Sequence, residues 1–448
     1  MLLKKFFLMN LYLNFYLFIL LFHIIISLNK NNDLNYIEFS INSNIKNNNS
    51  NFFLENYKFS EIYFNITLGN NIIPLFPTFE NYGTYICGNN ISYDYIYNES
   101  KSILDNDLNK KELLIYRERS GKHTKFYPIL NSGYNFTDKL FLNEKKYILY
   151  NFLLVNEYKN STIVKNYLGL QLGINSFENR YYESFDFLKQ LKNNNLINKY
   201  FYSIIFENKN FLNFKGKIIF GEELKNIYKK KYENKNLFSQ HAYSIDNKID
   251  WGIRFEQIKY DEIEDKLLEG VTGKFSLDYS FIICSSYFWK YLKKNFFESY
   301  INKSICFEYE KNDDKYFYCN KKFDIKQFKN ITFNSNFNFK FTYKDLFLYK
   351  NNNYYFLISS NNRIFHWLLG KIFLQKYQFI FNHDGKIFMW YDYFEENKNN
   401  NKINIFIHIF CFIIIILLLL IIFHIKKKIT RKKKIYEMNE DYEYILKE

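Results

Sequence analysis

The sequence predicts a mostly β fold, and three observations carry that expectation. From about Tyr57 to Tyr393, short runs rich in Tyr, Phe and Ile alternate with turns rich in Asn, Lys and Gly. Helical periodicity is confined to a few short stretches. Only 3 prolines and 14 glycines occur in 448 residues, so Asn and Asp must supply most of the turns. Apolar residues make up 48% of the chain, enough for a large core, and the length allows two to three domains.

The elements follow in order. Residues 1–27 place Lys4 and Lys5 before an apolar stretch running through Leu17 and Phe22 to Ile26. This is the pattern of a secretory signal peptide. No small-residue cleavage site follows, so an uncleaved anchor stands as the alternative. Residues 28–56 are Asn-rich and read as a leader or short prosegment. Strands are expected at Tyr63–Leu68, Tyr147–Val155, Tyr202–Phe206 and Lys215–Phe220. One helix is expected at Ser184–Lys192, where Phe185, Leu188 and Leu191 recur at helical spacing. A second should follow Ser285-Ser286, which can cap it.

After a linker at 396–402, Ile403 to Ile425 gives 23 residues without a formally charged side chain. At about 1.5 Å per residue, such a helix spans a hydrocarbon core of roughly 30 Å. Lys426, Lys427, Lys428, Arg431, Lys432, Lys433 and Lys434 follow, so the tail at 426–448 is expected to be cytoplasmic. The chain therefore reads as a single-pass type I membrane protein of the secretory pathway, its large region luminal or extracellular. The formal charge of +15 does not indicate a nucleic-acid partner, because the lysines are scattered among acids.

Four cysteines precede the membrane-directed segment. Cys306 and Cys319 are the better candidates for a disulfide, closing a short acidic and aromatic loop; Cys87 and Cys284 form a less certain second pair. Cys411 lies inside the apolar segment. No CxxC spacing supports a zinc site, and no HExxH, EF-hand, Gly-rich phosphate loop or Gly-x-Ser-x-Gly elbow is present, so no metal or cofactor is expected. His123 reads as a solvated loop histidine. Sequons such as Asn65, Asn90, Asn98, Asn135, Asn160, Asn302 and Asn330 occur often by chance in an Asn-rich chain.

The most specific pattern is Trp367-Leu368-Leu369-Gly370-Lys371-Ile372-Phe373-Leu374-Gln375-Lys376-Tyr377, followed by Phe381-Asn382 and Met389-Trp390. It resembles the carboxy-terminal signature of pepsin-like aspartic proteases. Further blocks resemble that family in its own order. They are Ile62 to Gly69, Ile73-Pro-Leu-Phe76, Tyr116 to Gly121, Tyr167-Leu168-Gly169-Leu170, Phe187 to Leu191, Phe201-Tyr-Ser203, Gly216 to Gly221, and the strand from Trp251 to Ile258. The resemblance implies two β-rich lobes, at 57–222 and 223–395, around a cleft that takes a peptide or protein, with Tyr116 as the flap tyrosine. A cross-strand aromatic pair is the bland reading of Tyr116.

The resemblance also implies two catalytic loops. The second is Phe275-Ser276-Leu277-Asp278-Tyr279-Ser280, with Asp278 as its carboxylate. The first is read as Pro77-Thr78-Phe79-Glu80, which puts Pro77 where the family has an aspartate and pairs Thr78 with Tyr279. Proline offers neither acid nor base. Glu80 reads as a surface or loop carboxylate that would need a rearranged loop to reach Asp278. On this reading the chain is a pseudoprotease that binds in its cleft without cutting. The alternatives are an active aspartic endopeptidase, with a misaligned first loop or a carboxylate from Glu80, and an unrelated β-rich receptor or adhesin ectodomain.

Overall fold

The computed structural model describes residues 36–391 apart from 45–52, 59, 81, 89–95, 104–112, 115–128, 143–145, 160–164, 173–184, 208–213, 246–247, 262–267, 312, 363 and 365. Beyond that range it describes only Ile422 and Ile425, both helical and exposed. Contacts divide the chain into two compact units, 1–392 and 393–448. Among the described residues no helix is long and apolar enough to cross a membrane. The expected signal peptide, the linker, the span at 403–425 apart from Ile422 and Ile425, and the tail lie outside the described residues, as does Tyr116.

Among the described residues the first half contributes ten strands. They are β1 (Ile37–Asn44), β2 (Glu61–Leu68), β3 (Asn71–Thr78), β4 (Tyr82–Cys87), β5 (Leu113–Leu114), β6 (Ile129–Phe141), β7 (Tyr147–Lys159), β8 (Tyr167–Leu170), β9 (Phe201–Phe206) and β10 (Gly216–Phe220). β2 alternates buried Ile62, Phe64, Ile66 and Leu68 with more exposed Tyr63, Asn65 and Thr67, the pattern of a sheet wet on one face. β9 is buried at every position, as befits a strand covered on both sides.

The second half begins with β11 (Leu237–His241), the short pair β12 (Ser244–Ile245) and β13 (Lys248–Ile249), β14 (Gly252–Tyr260), β15 (Glu269–Phe275) and β16 (Ile282–Cys284). It continues with β17 (Cys306–Lys311), β18 (Asp314–Asn320), β19 (Ile331–Asn334), β20 (Asn338–Phe341), β21 (Phe347–Lys350), β22 (Asn353–Phe356), β23 (Ile358–Asn361), β24 (Trp367–Leu369), β25 (Phe379–Asn382) and β26 (Ile387–Tyr391).

Two large sheets result. Among the described residues, one has 13 strands in the order β11-β26-β25-β9-β10-β1-β2-β3-β8-β4-β7-β6-β5, and the other has 11 strands drawn from β14 to β24. The halves are stitched together where β25 pairs with β9, Ile380 opposite Ser203. The seam is aromatic: Tyr202 stacks on Phe381 at 5.0 Å, and Trp251 meets Phe381 edge-on at 5.0 Å. Such pairs add about 0.5–1.5 kcal/mol each beyond their buried area. Trp251 Nε1 and the Tyr202 hydroxyl both donate to the Leu170 carbonyl, at 2.8 and 3.1 Å, which satisfies their polar atoms inside the seam.

Two elements fall within the stretch expected to be a leader. β1 lies between β10 and β2, with Phe39 opposite Ile218 and Asn42 opposite Tyr63. Helix α1 (Phe53–Lys58) seats Tyr57 against Phe214 and Phe281, and Phe53 against Tyr355.

Both expected helices form. α2 (Phe187–Asn193) is capped by Asp186, whose side chain accepts from the Lys189 amide. α3 (Ser286–Leu292) is capped by Ser285, which accepts from the Phe288 amide. Cys306 and Cys319 lie directly opposite in β17 and β18 and form a disulfide. The less certain pairing of Cys87 with Cys284 does not occur: each is a buried thiol on a strand of a different sheet, β4 and β16.

Candidate carboxylate site

The two halves repeat one pattern of strand pairing, and that pattern identifies the site. β3 runs parallel to β8 with Pro77 opposite Leu168, and β4 returns antiparallel with Thr84 opposite the same Leu168. β15 runs parallel to β24 with Phe275 opposite Leu369, and β16 returns antiparallel with Ile282 opposite the same Leu369. The next pairings match too: Tyr85 of β4 faces β7 in parallel, and Ile283 of β16 faces β23 in parallel. Thr84 lies seven positions after Pro77, and Ile282 seven positions after Phe275. The two loops therefore have equal length and register, and Pro77 corresponds to Phe275.

Three residues beyond Phe275 stands Asp278. Three beyond Pro77 stands Glu80. The counterpart of Asp278 is Glu80, not Pro77, which is still paired within β3. The counterpart of Thr78 is likewise Ser276 rather than Tyr279.

The local hydrogen bonds repeat with the register. The Glu80 amide donates to Thr78 Oγ1 at 3.2 Å, and the Asp278 amide donates to Ser276 Oγ at 3.3 Å. Each loop is thus a hydroxyl residue, a buried apolar residue (Phe79 or Leu277) and an acid, and each hydroxyl satisfies the backbone N–H of its acid. Thr78 and Ser276 are fully buried. The loops then touch: Thr78 Oγ1 donates across to Asp278 Oδ2 at 2.7 Å, and Ser60 Oγ lies 2.5 Å from Ser280 Oγ.

The second loop is held from behind by Gly370-Lys371. The Lys371 amide donates to the Tyr279 carbonyl at 2.9 Å, the Ile372 amide to the Ser280 carbonyl at 3.2 Å, and Lys371 Nζ to the Leu277 carbonyl at 2.7 Å. A Cβ on Gly370 would fall 2.0 Å from the Phe281 carbonyl oxygen, so this close approach requires glycine.

Charge is concentrated around the pair. Lys274 Nζ donates to Glu80 Oε2 at 2.6 Å and lies 3.3 Å from Asp250 Oδ2; Gln171 Nε2 reaches the other Asp250 oxygen at 3.3 Å. Glu80 is therefore a partly buried, ion-paired residue and not a surface carboxylate. Burial pushes its carboxyl above the usual carboxylate range; Lys274 opposes this, while Asp278 and Asp250 add to it.

Asp278 is also raised by burial, against the hydroxyl of Thr78 and the ammonium groups of Lys165, Lys371 and Lys274. For Lys274, burial works against the charge, but two carboxylates more than offset it and its pKa lies above the ordinary value. One ion pair thus leaves its partners unequal, because Lys274 has two opposite charges and Glu80 has one.

Asp278 opens on a small cavity of about 250 Å³, its mouth included, shared with Ser60, Glu61, Pro77, Lys165 and Tyr167. Lys165 is ion-paired there with Glu61. Tyr279 is turned into the core against Ile283 and Leu368.

The eukaryotic aspartyl protease family model matches residues 129–388, more than half of the chain. The chain belongs to that family. The match takes in Asp278 and begins downstream of Glu80. Comparison with curated proteins found no match. Family membership removes the reading of an unrelated receptor or adhesin. It also gives the carboxylate pair a chemical meaning, because aspartic proteases cut peptide bonds with two carboxyl groups that share one proton.

Proposed function

We propose that this chain is a membrane-anchored member of the aspartyl protease family whose carboxylate pair is chemically silent and whose cleft binds peptide or protein without cutting it. The Lys274–Glu80 ion pair carries the reading. Peptide hydrolysis needs one carboxylate to accept a proton from water while the other, protonated, hydrogen-bonds the scissile carbonyl. Here Glu80 Oε2 is held by an ammonium at 2.6 Å and Asp278 Oδ2 by the Thr78 hydroxyl at 2.7 Å. Among the described contacts, no hydrogen bond joins the two carboxyl groups.

An extended peptide can still be held in such a cleft by strand-like backbone pairing. Anchoring by residues 403–425, with the basic run after them in the cytoplasm, follows from the hydropathy and charge of the sequence.

A second reading has its own support. The matched register of Glu80 and Asp278 is the arrangement an active endopeptidase would need. The full-length chain, incubated with random-sequence peptide pools from mildly acidic to neutral pH, should bind peptides and release no cleavage products. Cleavage that disappears in both Asp278→Asn and Glu80→Gln would overturn the silent reading in favour of the active one.

A further inference from the structure

We propose that Lys274 is the residue that silences this site: its ammonium holds Glu80 apart from Asp278, and its removal would let the two carboxyl groups share a proton and hydrolyse peptide bonds. The inference rests on the silent-pair reading above and says where the silence comes from. Lys274 lies on β15, one residue before the strand ends and four before Asp278. Its side chain is 11% exposed and sits between Glu80 at 2.6 Å and Asp250 at 3.3 Å. Asp250 is fixed in turn by Gln171. The ammonium is therefore tethered from the second half and presented to the acid of the first.

The strand repeat shows that the fold does not demand a cation here. The register that equates Pro77 with Phe275 equates Phe76 with Lys274, so the matching position before Glu80 is apolar. A buried charge that only one of two repeats carries acts on what lies beside it, and its nearer neighbour is Glu80, with Asp250 behind. Removing one partner of a buried ion pair is costly for as long as the other stays charged. In mildly acidic buffer, Glu80 and Asp250 can meet the loss of Lys274 by taking protons instead of remaining as buried charges.

With the ammonium gone, the chemistry needs only water. The ionised carboxylate takes a proton from a water molecule, whose oxygen bonds to the peptide carbonyl carbon. The protonated carboxyl donates to the carbonyl oxygen; a proton then passes to the amide nitrogen, the C–N bond breaks, and a carboxylic acid and an amine leave.

The test uses the full-length chain carrying Lys274→Met, with random-sequence octapeptide pools as substrate and thermal unfolding as the check on folding. Cleavage should rise by roughly 100-fold over background, the size of a general acid–base contribution. It should depend on pH in a bell shape, be blocked by a statine-type inhibitor, and vanish when Asp278→Asn or Glu80→Gln is added. Lys274→Arg keeps the charge and should stay silent. A folded Lys274→Met chain no more active than Lys274→Arg would overturn the proposal while leaving peptide binding untouched. Wild-type cleavage lost in Asp278→Asn would instead overturn the silent reading itself.

A second measurement needs no variant. Carbon-13 titration of the wild-type carboxyl groups should show Glu80 and Asp278 titrating as separate single steps. A coupled two-step titration, the mark of a shared proton, would sink the clamp.

Discussion

Lys371 is the residue whose surroundings conflict most with its chemistry. It is fully buried, donates Nζ to the Leu277 carbonyl at 2.7 Å and lies 5.6 Å from the centre of the Phe214 ring. Burial pushes its pKa down to about 7; Asp278 opposes the shift, Lys165 adds to it, and Glu61 opposes it. In the unfolded chain a lysine holds its proton to about pH 10.4. Below about pH 7 both states are charged and the folded state bears the full cost of the buried ammonium. Between about 7 and 10 the unfolded state still binds the proton and the folded state does not, so stability should rise with pH, by on the order of 1 kcal/mol per unit. Urea midpoints measured across that range should climb in the wild type and flatten in Lys371→Met. Equal slopes for the two proteins would show that Lys371 is not the group responsible.

At the scale of elements, the loops and strands differ in how much the sequence reveals. Strands expected at Tyr63–Leu68, Tyr202–Phe206 and Lys215–Phe220 appear within a residue or two of β2, β9 and β10, because β2 alternates buried and exposed residues while β9 and β10 are short, largely buried apolar runs. Asp278 is legible because the resemblance supplies its loop and the capped helix after Ser285 follows it. The sequence places the first catalytic position at Pro77 and leaves Glu80 as the alternative acid, whereas Pro77 is still paired within β3 and the acid follows two residues after the strand ends at Thr78. The signal that could have found it is the repeated triplet of hydroxyl, apolar and acid, Thr78-Phe79-Glu80 against Ser276-Leu277-Asp278. It was hidden because glutamate replaces aspartate and Asn81-Tyr82 replaces the small residues that usually follow. The Lys274–Glu80 contact joins residues 194 apart and no local pattern announces it.

The same loop yields a firm prediction about Gly370. Alanine there would place its Cβ 2.0 Å from the Phe281 oxygen and 2.6 Å from the Tyr279 oxygen, both backbone atoms of the loop that leads into β16. Neither can retreat without breaking the bonds that the Lys371 and Ile372 amides make to the loop. Gly370→Ala should cost about 3–5 kcal/mol, near the upper end for single substitutions. A loss below about 1 kcal/mol in a denaturant titration would mean that the loop is held more loosely than these bonds imply.

Over the whole folded unit, one strand pattern is repeated in the two halves, but the sheets do not divide at a single point in the chain. β11, β25 and β26 from the second half extend the sheet built by the first, so the long sheet is closed only when both halves are present. β1 sits near the middle of that sheet, in a segment whose Asn-rich composition concealed the alternation of Ile37, Phe39 and Ile41. Its removal would free the inner edges of β10 and β2 together. It would also uncover Phe64, Phe187 and Phe220, which surround Phe39 at 4.7, 6.4 and 6.2 Å. An edge strand can be trimmed at small cost, but an internal one leaves two rows of unpaired backbone groups. A chain lacking residues 1–35 should therefore keep a single cooperative unfolding transition. A chain lacking residues 1–44 should lose it and aggregate, because its exposed strand edges are templates for pairing. If the shorter chain still unfolds cooperatively with an unchanged midpoint, β1 is a detachable leader and the long sheet is stable without it.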